Sequence, residues 1–97
     1  MLRAIVLHPD DNVATLIDTG RAAQSVRLTG NAAGELELLA DVPFGHKCAV
    51  RPIAKGDAIR KYGQIVGRAT APIRIGDHVH VHNVEALRGR GDIAESR

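Results

Sequence analysis

The residues best suited to chemistry are three histidines spaced two apart within residues 77–83, which read DHVHVHN. A β-strand turns successive side chains to opposite faces, so this pattern predicts a strand with His78, His80 and His82 on one face. The valines between them would lie on the other face and suit burial. Histidine is neither a strong strand former nor a typical core residue, so the imidazole face calls for a separate explanation.

One explanation is a metal site. Two same-face histidines of a His-x-His pattern are about 7 Å apart along the strand and can converge on one transition-metal ion. All three spread over roughly 13 Å, so one ion would rarely take all of them. We predict His78, His80 and His82 as metal ligands, and His46 or another chain can supply a missing ligand. An acid–base role, or an exposed or interface histidine face without metal, fits the pattern equally well.

A second candidate group lies at residues 43–47, where proline and glycine precede His46 and Lys47. Lysine attracts a carboxylate and histidine can move a proton, so this pair suits an anionic ligand. An ordinary surface loop with two polar residues is the alternative. Lys61 and Arg68 form another candidate anion-binding pair, unless both are simply solvated.

Short strands separated by turn-forming residues must position these groups. Segments with strand-like composition lie at residues 3–7, 13–17, 24–29, 34–39, 48–51, 58–61 and 64–70, and the first two suggest a hairpin. Residues 52–59 and 72–79 form a near-repeat, in which a proline, an apolar anchor and a Gly-Asp turn lead into a strand. No segment shows a long 3.6-residue period, so we expect a compact all-β domain with little helix.

Composition limits the function further. The chain has 97 residues, enough for one domain, and a net charge of only +2 with no basic run. Two aromatic residues, Phe44 and Tyr62, provide little for bases to stack on, which argues against nucleic-acid binding. The apolar runs are too short to span a membrane, and no signal peptide is recognisable. A single cysteine, Cys48, fits a reducing cytoplasm.

Taken together, three segments resemble the N-terminal SAF domain of altronate and galactarate dehydratases, the UxaA family. They are residues 41–50 (DVPFGHKCAV), 61–70 (KYGQIVGRAT) and 75–83 (IGDHVHVHN). The resemblance runs from about residue 4 to residue 84 and is loose between residues 18 and 35. It implies a β-clip fold of short, bent, largely antiparallel strands over residues 1–87. Residues 88–97 fall outside the family pattern and are predicted to be a flexible basic tail.

The resemblance also implies sugar-acid dehydration, a reaction for which a divalent metal, Fe²⁺ or Mn²⁺, is favoured in this family. Most of the catalytic equipment of the full-length enzymes lies in a larger C-terminal part, so we expect a small subunit that completes a large catalytic subunit. The related two-subunit sulfolactate sulfo-lyases offer a parallel. By resemblance, His46, Lys47 and His80 are the catalytic candidates, while Lys47 and Asn83 are candidates for binding a small hydroxy-acid substrate. The basic residues Lys61 and Arg68, noted above from the residues alone, complete the candidate substrate-binding set.

Two other functions compete with this one. A free-standing module that binds a sugar acid or a metal would show ligand affinity without a partner. A structural or assembly role for an SAF domain is disfavoured, because such a domain has no need for three imidazoles on one face. A homo-oligomer is compatible with each of these functions.

Overall fold

The computed structural model describes residues 1–86 as nine short β-strands in two sheets, and this range contains no helix. The strands are β1 (Leu2–Val6), β2 (Val13–Leu16), β3 (Ser25–Gly30), β4 (Glu35–Glu37), β5 (Lys47–Ala49), β6 (Ala58–Lys61), β7 (Gln64–Ala69), β8 (His78–Val79) and β9 (Val84–Ala86). The larger sheet has the order β4-β3-β1-β2-β5-β8, and the smaller has β6-β7-β9. The predicted all-β fold is confirmed, whereas the predicted tail at residues 88–97 lies outside the described residues.

The strand pairing is antiparallel with one exception. Strands β1 and β2 form the predicted hairpin, with Ala4 opposite Leu16. Strands β1 and β3 instead run parallel, with Ala4 opposite Leu28. Because Ala4 is fully buried between these neighbours, β1 lies at the centre of the larger sheet, and its apolar face forms one of two buried clusters.

The same type of backbone corner occurs four times in residues 1–86. Two isolated bridges, Gly20 with Val42 and Ile53 with Ile73, supply four bridge residues. Three positions after each of them comes a residue with positive φ, and two positions later a strand begins. These four residues are Ala23, Gly45, Gly56 and Gly76, and the strands are β3, β5, β6 and β8. The near-repeat in the sequence therefore covers two of four equivalent corners.

The sequence did not predict the other two corners, because their glycine or proline residues differ from those of the near-repeat. Ala23 occupies a left-handed position that glycine usually takes, so that corner lacks the expected glycine. In another corner, Pro43 follows the bridge residue Val42, whereas Pro52 and Pro72 precede theirs. The proline and glycine positions that revealed two corners are thus shifted or missing in the others.

A buried carboxylate connects the loop after β1 to the smaller sheet. Asp11 is only 1% exposed, and its side chain accepts hydrogen bonds from the backbone N–H groups of Tyr62 (3.0 Å) and Gly63 (2.8 Å). The two donor residues form the two-residue turn between β6 and β7, and both have positive φ. The neighbouring Asn12 side chain makes two hydrogen bonds to the backbone of β6, at 2.9 and 2.8 Å.

We expect Asp11→Ala to lower the free energy of unfolding by about 2–3 kcal/mol, because two backbone donors lose a charged acceptor. Urea unfolding followed by circular dichroism measures this difference. The matched control is Asp10→Ala, since Asp10 is the adjacent carboxylate and its side chain is largely exposed. The control should change stability by less than about 0.5 kcal/mol. Equal effects of the two substitutions would contradict the assigned role of Asp11.

Candidate functional site

The histidines meet because two of the corners feed neighbouring strands. Strands β5 and β8 pair antiparallel, with Cys48 opposite His78 and Lys47 opposite Val79. His46 immediately precedes β5, and its N–H donates to the carbonyl oxygen of Pro43 at 3.0 Å, which closes that corner. The register therefore brings His46 and His78 together although they are 32 residues apart.

Three imidazoles form a compact group. Nδ1 of His46 and Nε2 of His78 lie 3.0 Å apart, within hydrogen-bonding distance. The ring of His80 stacks on His46 with centroids 4.3 Å apart and lies 5.3 Å from the ring of His78. One nitrogen from each of these three rings lies within 4.8 Å of the others. We call His46, His78 and His80 the imidazole cluster.

The prediction of one long histidine strand was wrong. Strand β8 ends at Val79, and residues 80–83 form a turn. The Asn83 side chain holds this turn, because its Oδ1 accepts from His80 N–H at 3.0 Å and its Nδ2 donates to the carbonyl oxygen of His78 at 2.9 Å. Because of this turn, the imidazoles of His78, His80 and His82 do not form a flat row along one strand. His46 contributes the third ring of the compact group instead.

His82 lies beside the cluster but outside it. Its ring is 5.2 Å from that of His78, in a tilted arrangement, and it does not belong to the group with convergent nitrogen atoms. The predicted ligand set of His78, His80 and His82 is thus not the set that the structure brings together. The alternative third ligand, His46, is the one that meets His78 and His80.

The electrostatic environment of the cluster is positive. The pKa of His78 is lowered to about 4, first by burial and then by the charges of His82, His46, His80 and Lys47. The pKa of His80 is also lowered, by burial and then by the charges of His46, Lys47 and His82. The pKa of Lys47 is lowered by burial and by Lys61. Among the described residues, every charged neighbour that shifts these pKa values is therefore an imidazole or an ammonium group.

The predicted substrate-binding residues separate into two kinds. Lys47 lies beside His80 on the wall of a groove, and Lys61 is close enough to act on its charge. Arg68 is exposed on β7 and donates to the carbonyl oxygen of Gly56 at 3.3 Å. Asn83 is buried, and its amide is engaged with the backbone. The structure therefore brings Lys47, and at longer range Lys61, to the cluster.

The groove beside the cluster is mostly apolar. It has a volume of about 230 Å³, and Lys47 and His80 are its polar lining residues. The apolar lining residues are Ile59, Val66, Val79, Val81, Val84 and Ala86. The groove was not predicted from the sequence. Two of its lining residues lie on β9, and no strand had been predicted in that segment.

The helix-free arrangement of short, corner-linked strands in residues 1–86 agrees with the β-clip fold that the resemblance to an SAF domain implies. The model of the family described as "Altronate/galactarate dehydratase SAF domain" matches residues 2–87. The chain therefore belongs to the altronate/galactarate dehydratase SAF domain family. No helix among the described residues is long and apolar enough to cross a membrane.

The relatives fall into two groups. The chain is 36% identical over 89 residues to (2R)-sulfolactate sulfo-lyase subunit alpha of Chromohalobacter salexigens, covering 87% of this chain and 94% of that subunit. It is 35% identical over 81 residues to altronate dehydratase of Bacillus subtilis, and 38% identical over 82 residues to that of Escherichia coli. Each of these two matches covers 84% of this chain and only 16% of the relative.

If the imidazole cluster binds a transition-metal ion, as the histidine pattern predicts, Asn83→Ala should weaken Co²⁺ binding to the isolated chain by about tenfold, because the turn that presents His80 loses both side-chain hydrogen bonds. The d–d absorption of bound Co²⁺ reports both the affinity and the ligand geometry. The conservative variant Asn83→Asp keeps the acceptor for His80 N–H and should recover part of the affinity. An unchanged Co²⁺ spectrum and affinity in Asn83→Ala would refute this role.

The lowered pKa of His78 predicts a pH dependence of stability. Folding lowers this pKa from its ordinary value of 6.5 to about 4, so the unfolded chain binds more protons in that interval. The contribution of His78 to stability is therefore complete above pH 6.5 and is lost as the pH falls towards 4. Urea unfolding at several pH values should show this loss, and His78→Gln should reduce it.

The direct check is an NMR titration of the His78 ring protons in the folded chain. The expected midpoint is near pH 4. A midpoint at or above 6.5 would show that the ring is neither desolvated nor surrounded by positive groups.

Proposed function

We propose that this chain is the small subunit of a lyase that eliminates a leaving group from a hydroxy acid, and that it completes the active site of a larger catalytic subunit. The observation that carries this proposal is the convergence of His46, His78 and His80 beside Lys47. Family membership and the similarity to a protein named as a lyase subunit alpha support it. The dehydratase reaction is the first candidate, with a sugar acid as substrate.

Such an elimination needs three functions. A base must take a proton from the carbon beside the carboxylate, an acid or a Lewis acid must assist the leaving group on the next carbon, and a cation must hold the carboxylate. The carbon–hydrogen bond and the bond to the leaving group break, and the enol that forms rearranges to a keto acid. The lowered pKa values of His78 and His80 keep both rings neutral near pH 7, so each is able to accept a proton.

Lys47 suits the carboxylate. It is half-buried on β5, beside His80, and its register opposite Val79 fixes it at the wall of the groove. A cation at this position can hold the acid group of the substrate while a neutral imidazole faces the neighbouring carbon. His80 is the imidazole that shares the groove with Lys47, so we assign the proton transfer to His80 when no metal ion is bound to its ring. With an ion on His80, the base must come from the larger subunit.

The cluster also fits a divalent metal ion. Two ring nitrogen atoms bound to one ion are separated by roughly 3 Å when each bond is about 2.1 Å, and His46 and His78 already have that spacing. The nitrogen separations are at most 4.8 Å, so the rings would have to move closer together by side-chain rotation to bind one ion. His46, His78 and His80 would hold the ion. Bound Fe²⁺ or Mn²⁺ would supply Lewis-acid assistance to the leaving group.

A carbon–sulfur lyase is the second candidate for the same site. The similarity to the sulfo-lyase subunit alpha covers 94% of that subunit, and its 36% identity is close to the 35% and 38% found for the altronate dehydratases. These values do not separate the two leaving groups, so an assay must include both kinds of substrate. A free-standing ligand-binding module is the third candidate. We place the enzyme in the cytoplasm, where the buried free thiol of Cys48 would stay reduced.

The test is affinity purification of the tagged chain from its own source. Bound proteins are identified by mass spectrometry, and the complex is assayed with sugar acids and a sulfonated hydroxy acid. We expect one large chain in about equal amount and the formation of a keto acid. His46→Ala, His78→Ala and His80→Ala should each lower kcat by at least about 100-fold.

His8→Ala is the control, because His8 packs against Gly63, outside the cluster, and is absent from the convergent group. It should retain activity within about threefold. A chain that is recovered alone and shows no activity would contradict the subunit function. Activity that survives all three cluster substitutions would contradict the assigned site.

A further inference from the structure

Exposed apolar side chains lie close in the chain to residues of the imidazole cluster. Phe44 lies two residues before His46 and is 67% exposed, and Val81 follows His80 and is 81% exposed. Val81 also lines the groove, together with Val66 on β7. Apolar side chains that protrude beside polar site residues are typical of a surface that another molecule covers.

Beyond Lys47 and His80, the apolar wall of the groove is poorly suited to the hydroxylated part of the substrate. A sugar acid carries a hydroxyl group on nearly every carbon and needs hydrogen-bonding partners along its length. The groove offers six apolar lining residues, and its two polar ones lie at the cluster. Burial of hydroxyl groups against such walls would cost free energy, whereas an apolar side chain of a protein would bury there favourably.

The charges at the cluster indicate which chemistry the molecule that covers this surface must present. No carboxylate among the described residues lines the groove or belongs to the convergent group of ring nitrogen atoms. Asp77, the acidic residue next to the histidines in sequence, accepts from the N–H of Arg74 at 2.7 Å within its own corner. Within residues 1–86, the groove and the convergent group therefore offer Lys47 and the imidazoles no acidic side chain at the point where the apolar surface begins.

We propose that the groove, Phe44 and Val81 form the docking surface for the large lyase chain, and that this chain brings at least one carboxylate to Lys47 and the imidazole cluster. This inference rests on the proposed function. The two chains would meet at this surface, and the larger one must present a carboxylate there. The altronate dehydratases support this choice of partner, since the matched region covers only 16% of each of them and the rest belongs to the same chain.

The chain offers a matched pair of substitutions. Ile65 and Val66 are neighbours on β7 and are both 38% exposed, but only Val66 lines the groove. The large chain that co-purifies with the tagged protein is isolated, and its affinity for each variant is measured by biolayer interferometry. We expect Val66→Asp to weaken binding by at least about 30-fold, as substitutions at the centre of an interface do. Ile65→Asp should stay within about threefold.

Val81→Asp provides a second variant that should leave folding unchanged, because the side chain is 81% exposed. It should weaken binding by a similar factor while the melting temperature stays unchanged. The carboxylate is tested separately with a carbodiimide, which joins an amine to a carboxylate without a spacer. Mass spectrometry should find Lys47 joined to an aspartate or glutamate of the large chain, and Lys47→Arg should abolish this product.

The outcomes separate the two proposals. If no large chain is recovered, both the proposed function and the docking surface are overturned. If an active large chain is recovered and both Val66→Asp and Val81→Asp bind like the wild type, only the docking surface is overturned. A homodimer that Val66→Asp dissociates would assign the groove to a second copy of this chain, and the absence of a Lys47 product would refute the carboxylate.

Discussion

The contact between the imidazoles of His46 and His78 depends on one backbone constraint, the antiparallel pairing of β5 with β8. That pairing requires the corner before each strand to turn sharply, and Gly45 and Gly76 make the turns with positive φ. Gly76 also has no room for a side chain, because a Cβ would collide with the carbonyl oxygen of Glu37. The close approach of β4 to this corner therefore ties the histidines to the far edge of the larger sheet.

The same corner explains how a small domain without helices in its described residues can hold a site. Each bridge residue is fixed by two backbone hydrogen bonds, as between Ile53 and Ile73 at 2.9 and 2.8 Å. A strand then leaves the corner in a defined direction, and its first residues keep a fixed position. Asp11 and Asn12 fasten the smaller sheet to this framework. Lys61, on β6, is thereby held where it acts on the charge of Lys47.

Much of the fold could be predicted because its signals are local. The alternation of leucine and glutamate at residues 34–39, and the Gly-Asp turns before β6 and β8, each specify a strand or a corner without distant contacts. The parallel pairing of β1 with β3 could not be predicted, because register between distant strands depends on the whole core. The end of β8 was missed since Asn83 was interpreted as a ligand-binding residue, and its hydrogen bonds to the preceding backbone are visible only in three dimensions.

The functional site, like the fold, could be predicted only in part from the sequence. The residue types at positions 46, 47, 78 and 80 were sufficient to nominate them, but the sequence suggested a straight row of histidines. The three-dimensional arrangement replaces His82 by His46, which comes from a different corner. The apolar groove was invisible in the sequence because its lining residues come from β6, β7, β8, β9 and the turn after β8, each contributing one or two ordinary aliphatic side chains.

The central claim is that one site is built from His46, His78 and His80 across two corners. The most direct measurement is a crystal structure of the chain soaked with Mn²⁺, with anomalous diffraction used to locate the ion. We predict a single anomalous peak bound by nitrogen atoms of these three rings. A peak bound by His78, His80 and His82 without His46, or no peak near the imidazoles at saturating Mn²⁺, would contradict it.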